Sequence, residues 1–146
     1  MIALRTFGPD DVSFLMTHYK PGIPKEEAQA LIYEWSQKSY NGSYFEMSVI
    51  LDGTQPVGWI SLYAHEKATV SAGMEIIEGQ RKKGFAYQAL GLALEKARAL
   101  GYQTANAQVR KHNAASIRLH EKSGYTRCGE GLTSKGGDAY IYELKL

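Results

Sequence analysis

Gln80-Arg81-Lys82-Lys83-Gly84-Phe85-Ala86 follows an apolar run, Gly73-Met74-Glu75-Ile76-Ile77, and opens an amphipathic pattern that continues to Leu100. A strand that enters a short basic turn and leaves it as a helix presents backbone N–H groups to an anion. The helix dipole adds partial positive charge at the same place. A glycine there lets the backbone approach a ligand closely, where a Cβ would collide. A phosphate or pyrophosphate is the guest such a turn fits. Taken by itself, the turn also reads as a solvated, positively charged loop at a helix start.

The helix after the turn carries the strongest periodicity in the chain: Ala86, Ala89, Leu90, Ala93, Leu94 and Ala97 share one stripe, and Gly101 stands where a C-terminal cap belongs. Before the turn the period is two. Phe45, Met47, Val49 and Leu51 alternate with their neighbours, Asp52-Gly53 signals a hairpin, and Val57 to Ala64 forms the return strand. A further strand, Thr69 to Ile77, delivers the chain to the turn, so an antiparallel meander is expected.

Further upstream, Ile2 to Phe7 reads as a first strand and Gly8-Pro9-Asp10-Asp11 as a helix start. Val12, Leu15, Met16 and Tyr19 give that helix a buried face, and Pro21-Gly22 ends it. A second helix begins at Pro24, buries Ala28, Leu31, Ile32 and Trp35, and is expected to terminate at Asn41-Gly42. Downstream, Ala105, Ala107 and Val109 alternate in a strand. Asn113 is placed to N-cap a short helix with Ile117 and His120, which Gly124 ends. Strands near Tyr125–Gly129 and Asp138–Leu144 finish the chain around Ser134-Lys135-Gly136-Gly137.

The chain has 146 residues, 44% hydrophobic and 22% charged, which suits a single domain, residues 1–146, with one core. A net charge of +2, with positive residues clustered at Arg81-Lys82-Lys83 and from Arg110 to Lys122, suits a small polyanion better than a duplex. Nucleic-acid binding is not expected. The single cysteine, Cys128, excludes an internal disulfide or a cysteine-rich zinc site, and it reads as a buried strand residue. No metal is expected. The N-terminus lacks a signal-peptide core, and no apolar run approaches the roughly 20 residues of a membrane span. No membrane association is therefore expected, and the expected location is cytoplasmic.

Arg81-x-x-Gly84-x-Ala86 bridges a strand and a long helix. Asn113-Ala-Ala-Ser116-Ile117-Arg118-Leu119-His120-Glu121-Lys122-Ser123-Gly124-Tyr125 follows the strand that ends at Val109. Together these segments resemble the GNAT superfamily of acyl-CoA-dependent N-acyltransferases. The first is similar to its pyrophosphate-binding signature. The second is similar to its asparagine-to-glycine-phenylalanine segment, with Tyr125 in the phenylalanine's place. The order of elements along the chain matches as well.

The resemblance implies an α+β (α/β three-layer) GNAT-like fold. It has a central mixed, mostly antiparallel sheet of about seven strands, flanked by four helices and splayed at a cofactor cleft. It also implies an acetyl-CoA-dependent N-acetyltransferase that acetylates a primary amine of a small molecule or peptide by direct attack in a ternary complex. By the same resemblance, the backbone of Arg81, Lys82, Lys83, Gly84, Phe85 and Ala86 would hold the CoA pyrophosphate. Ile76 and Ile77 would flank the pantetheine, with an N–H there polarising the thioester carbonyl. Asn113 would reach the cofactor through its side-chain amide.

Acyl transfer to an amine also needs a proton acceptor for the ammonium and a donor for the departing thiolate. Where many family members carry a tyrosine before the glutamate of the second motif, this chain has His120. His120 is therefore the candidate acid, against a packing role on the helix's inner face. The family's strand glutamate would fall near Val70-Ser71, which cannot replace it. Glu75 is then the candidate base, with Glu66 and His65 in the preceding turn as lesser ones. Tyr142 reads as a core tyrosine that can also line the cleft.

Among ten tyrosines, Tyr33, Tyr40 and Tyr44 cluster in sequence with Trp35 and Phe45, as an acceptor pocket or as core. Two altered catalytic positions leave a second reading, a non-catalytic or regulatory acyl-CoA-binding module. Edge strands leave a homodimer open.

Overall fold

The computed structural model describes residues 1–146. Strand β1 (Ile2–Thr6) leads through a 3-10 turn (Pro9–Asp11) into one α-helical turn, α1 (Val12–Phe14), and a π-helical run (Leu15–Tyr19). Helix α2 (Lys25–Ser36) follows. Then come β2 (Ser39–Tyr40), β3 (Ser43–Asp52), β4 (Gln55–Ala64) and β5 (Thr69–Ile76). Helix α3 (Phe85–Ala99), β6 (Thr104–Arg110), α4 (Ala114–Lys122), β7 (Thr126–Leu132) and β8 (Asp138–Lys145) complete the chain.

Two local readings change. The expected second helix stops at Ser36, and Asn41-Gly42 instead turns a small hairpin between β2 and β3. Asn41 and Gly42 have φ of 50° and 81°, both left-handed, as the tight turn between twisted strands demands. The strand before the basic turn ends at Ile76 rather than Ile77.

The main sheet runs in the order β1-β3-β4-β5-β6-β8-β7, and β3–β4–β5 form the expected antiparallel meander. One junction is parallel. β5 and β6 pair only at Thr69–Thr104, Val70–Ala105 and Ser71–Asn106. Beyond Ser71 the two strands part while β4 stays bound to β5 and β8 to β6, so the sheet forks. This is the expected splay.

Residues paired across strands point to one face, so the register sorts side chains into two layers. One face carries Ile50, Ile60, Leu62, Val70, Ala105, Val109 and Tyr142, packed with the α3 stripe Ala89, Leu90, Ala93, Leu94 and Ala97. Burying a side chain of Leu or Val size contributes about 1.5–3 kcal/mol, so this cluster dominates the fold's stability. Gly101, at φ +93°, ends α3 as predicted, with the Tyr102 N–H returning to the Ala97 carbonyl.

The other face carries Met47 and Val49, covered by Phe7, Leu15, Ile23 and Ala28. Arg5 fastens this layer to β1 with two hydrogen bonds to buried Asp11, of 2.8 and 3.1 Å. Burial pushes the Asp11 carboxyl up, but Arg5 and the Gly8 N–H outweigh it and hold it below the usual range. No helix is long and apolar enough to cross a membrane.

Candidate functional site

The fork brings the basic turn to the open end of a groove between β5 and β6. Within the turn, no protein acceptor takes the backbone N–H of Arg81, Lys82, Lys83, Gly84, Phe85, Ala86 or Tyr87. That is a contiguous run of unpaired donors ending on the N-terminus of α3, where the helix dipole is positive. Lys82 and Gly84 hold left-handed φ of 63° and 80°, the kind of turn conformation in which successive N–H groups make anion-binding concavities. The arrangement can bind an anion with two or more oxygens.

Arg81 has a different task from its neighbours. Its Nε donates to the Ile76 carbonyl at 2.8 Å, and Nη2 reaches Glu75 Oε1 at 3.1 Å. The guanidinium therefore braces the turn against the end of β5. Lys83 Nζ bonds Gln80 Oε1 at 3.1 Å, within the same turn. Glu75, the expected base, is half-exposed and engaged by Arg81.

The N–H groups of the strand end are sorted by the ladder. Ile77 donates to the Val57 carbonyl at 2.9 Å, so its amide is committed to β4 and cannot polarise a ligand. Alternation then turns the N–H of Ile76 and of Met74 away from β4, toward the fork. Of the two strand-end residues expected beside the ligand, Ile76 has its N–H on the fork side and Ile77 does not. The Met74 N–H shares that direction, which local sequence cannot show because pairing with β4 sets the ladder phase.

Asn113 caps α4 through Oδ1, which accepts from the Ser116 N–H at 3.1 Å, leaving its NH2 free to donate outward. His120 is buried, its ring edge-on to Tyr125 at 4.9 Å and tilted on Tyr142 at 6.2 Å. Its Nδ1 lies 2.8 Å from the Ser116 carbonyl, so Nδ1 carries the proton and Nε2 is the acceptor. Burial lowers its pKa, partly countered by that hydrogen bond, and favours neutral imidazole. Donation to a thiolate therefore requires His120 first to bind a proton against its surroundings.

Next to His120, Glu121 accepts from the Tyr142 hydroxyl at 2.7 Å, and Arg127 lies over the Tyr140 ring at 3.6 Å. Tyr142 is fully buried, as its core reading predicts. Cys128 is exposed, contrary to expectation, because it sits on the edge strand β7 at a register shift between Arg127 and Gly129. The aromatic group also divides. Trp35 packs on Phe7 and Tyr19 beneath β3, Tyr44 lies on the opposite face against Tyr102, and Tyr33 and Tyr40 point outward. These aromatics do not form one acceptor pocket.

At the closed end of the fork, three polar side chains meet. His65 Nε2 lies 2.8 Å from Ser71 Oγ, and Ser71 Oγ bonds Asn106 Oδ1 across the last β5–β6 pair. The three residues come from a turn and two strands, and no local motif links them.

Residues 3–126 match the family model described as an acetyltransferase (GNAT) domain. The spore coat polysaccharide biosynthesis protein SpsD of Bacillus subtilis is 23% identical over 116 residues, which is 78% of this chain and 40% of that protein. An L-methionine sulfoximine/L-methionine sulfone acetyltransferase of Pseudomonas aeruginosa is 36% identical over 64 residues, 44% of this chain and 37% of that protein. The chain thus spans about two fifths of the length of the curated relatives it matches. Among solved structures, spermidine N-acetyltransferase from Vibrio cholerae, in complex with CoA and spermine, superposes with a TM-score of 0.78. It is 16% identical, with 99% of this chain and 95% of that one covered, a likeness of fold.

Proposed function

This chain belongs to the acetyltransferase (GNAT) domain family, and on that premise we propose that it moves an acetyl group from acetyl-CoA to a primary amine. The observation that carries the reading is the run of unpaired N–H groups from Arg81 to Tyr87 at the mouth of the β5–β6 fork. Backbone donors on a helix N-terminus suit a pyrophosphate, whose charge and several oxygens they can share. Lys82 and Lys83 add mobile positive charge beside them, and the Asn113 NH2 group is free to donate at the start of α4.

Acetyl-CoA, when bound, supplies an activated thioester. The chain's own part is to hold it extended along the fork and to polarise its carbonyl. The Ile76 and Met74 N–H groups suit that role, because they face the gap and are fixed by the sheet before any ligand arrives. Glu75 serves better as a brace for Arg81 than as a base. The half-exposed pair spends that carboxylate on holding the turn.

The acceptor is a small-molecule or peptide amine that enters from the face carrying Trp59, Ser61 and Gly73, attacking directly while both reactants are held. The partly matching L-methionine sulfoximine/L-methionine sulfone acetyltransferase suggests those two compounds as first acceptors to try, and spermidine, the substrate named for a protein of like fold, as a third.

Calorimetric titration of acetyl-CoA, followed by thiol release with a panel of primary amines, tests the proposal. Binding with amine-dependent release is expected. Binding without release across the panel would favour the non-catalytic acyl-CoA module, and no binding would remove both.

A further inference from the structure

Building on the acetyl-transfer reading, we propose that His65 is the group that takes the proton from the acceptor amine, with Ser71 and Asn106 as its positioning residues. The juxtaposition is His65 Nε2 on Ser71 Oγ at 2.8 Å, with Ser71 Oγ on Asn106 Oδ1, at the point where β5 and β6 separate.

The hydrogen bonds assign the protons. Asn106 Oδ1 can only accept, so the Ser71 hydroxyl donates to it. Ser71 Oγ then accepts from His65 Nε2–H, and the lone pair of the neutral ring sits on Nδ1. No protein group hydrogen-bonds Nδ1. Ser71 is buried at 5% exposure whereas His65 is exposed, so the chain runs from the sheet interior to the surface. The His65 ring is further held edge-on to Tyr63 at 5.0 Å.

The register puts this group on the acceptor side. Tyr63, Ser71, Asn106 and Glu143 are aligned across β4, β5, β6 and β8 and share one face. The next row along that face is Ser61 and Gly73, small residues that leave a trough, and the row after is Trp59 and Glu75. Ser71 is about 10 Å along the strand from Met74, whose N–H faces the fork. An acceptor amine and one bridging water can span that interval. A serine at this position cannot itself replace a carboxylate, but a serine that holds a histidine can.

The step balances without a further reactant. An ammonium N–H proton passes to His65 Nδ1, and the freed nitrogen lone pair forms the N–C bond to the acetyl carbon. The C–S bond breaks, its electron pair stays on sulfur, and the second amine proton ends on that sulfur as thiol. His65, being exposed, returns its proton to solvent, so the reaction releases one proton overall. Of the titratable groups around His65, Tyr63 on β4 packs against its ring, Glu143 and Lys145 on β8 lie on the same face of the sheet, and Glu66 and Lys67 follow it in its own turn.

The test begins with wild-type acetyl-CoA binding and thiol release across the primary-amine panel. Failure of either in the wild type overturns the acetyl-transfer reading and this assignment with it. With the fastest acceptor, His65→Gln is expected to lower kcat about 100-fold, while acetyl-CoA affinity stays within about twofold. It should also abolish the acid limb of the kcat/KM–pH profile. Ser71→Ala should lower kcat about 10-fold and displace that limb, a change a purely structural serine would not make. A His65→Gln enzyme with kcat within about twofold of wild type and its acid limb intact would overturn the assignment while acetyl transfer stands.

Discussion

At the open end of the fork the available donors are backbone N–H groups, contiguous in the chain from Arg81 to Tyr87. At the closed end the polar groups are side chains, His65, Ser71 and Asn106, from a turn and two strands. The first end is built by chain conformation and tolerates changes of side chain. The second is built by side-chain identity and tolerates little. Substitutions should therefore separate the two ends, and those that alter backbone geometry should act on the first.

The largest effect is expected at Gly58, opposite Ile76 on β4, where a Cβ would stand 2.2 Å from the Glu75 carbonyl oxygen. Backbone cannot yield there without moving the end of β5. Gly58→Ala should cost about 3 kcal/mol in urea unfolding, at the high end of overpacking effects. It should weaken acetyl-CoA binding as well, because it displaces Ile76.

Gly84→Val tests the open end alone. Its φ of +80° is strained for any residue with a Cβ, at about 1–2 kcal/mol. That predicts acetyl-CoA binding weakened about 10-fold or more by calorimetry, with kcat at saturating acetyl-CoA little changed. Equal loss of both would show that the ends are not separable.

Arg81→Ala removes the brace on the Ile76 carbonyl and should weaken acetyl-CoA binding about fivefold, one hydrogen bond's worth. The companion Glu75→Gln should change kcat by less than about twofold, since exposed ion pairs contribute little. A much deeper fall in kcat would return the base to Glu75.

The smallest effect belongs to His120. Burial lowers its pKa below the ordinary histidine value, so the unfolded chain binds the proton more readily than the folded one. Its contribution to stability is complete above about pH 6.5 and is lost as pH falls through the folded-state value. Thermal midpoints of wild type and His120→Gln, measured from pH 7.5 down to 5, should converge as the pH drops.

Much of this architecture is legible in local pattern. The α3 stripe, the meander and the Asn113 cap follow from spacing, because the forces that set them act within one turn or one hairpin. The errors have a common origin in long-range pairing. Asn41-Gly42 is a turn signal in either role, and β3 decides that it closes a hairpin. Cys128 is exposed because β7 lies at the sheet edge. The Ile77 N–H is taken by the Val57 carbonyl, twenty residues away in sequence, which local pattern could not show.

By itself the sequence determined the basic turn's character: a glycine that lets the backbone come close to a ligand, lysines beside it, and a helix dipole behind it. These are properties of neighbouring residues, so no distant contact is needed to read them. Only the tertiary structure decided which strand N–H groups face the fork, that Arg81 is a brace, and that His65 meets Ser71 and Asn106. Those depend on register and strand order, where a shift of one residue reverses every side chain and every N–H.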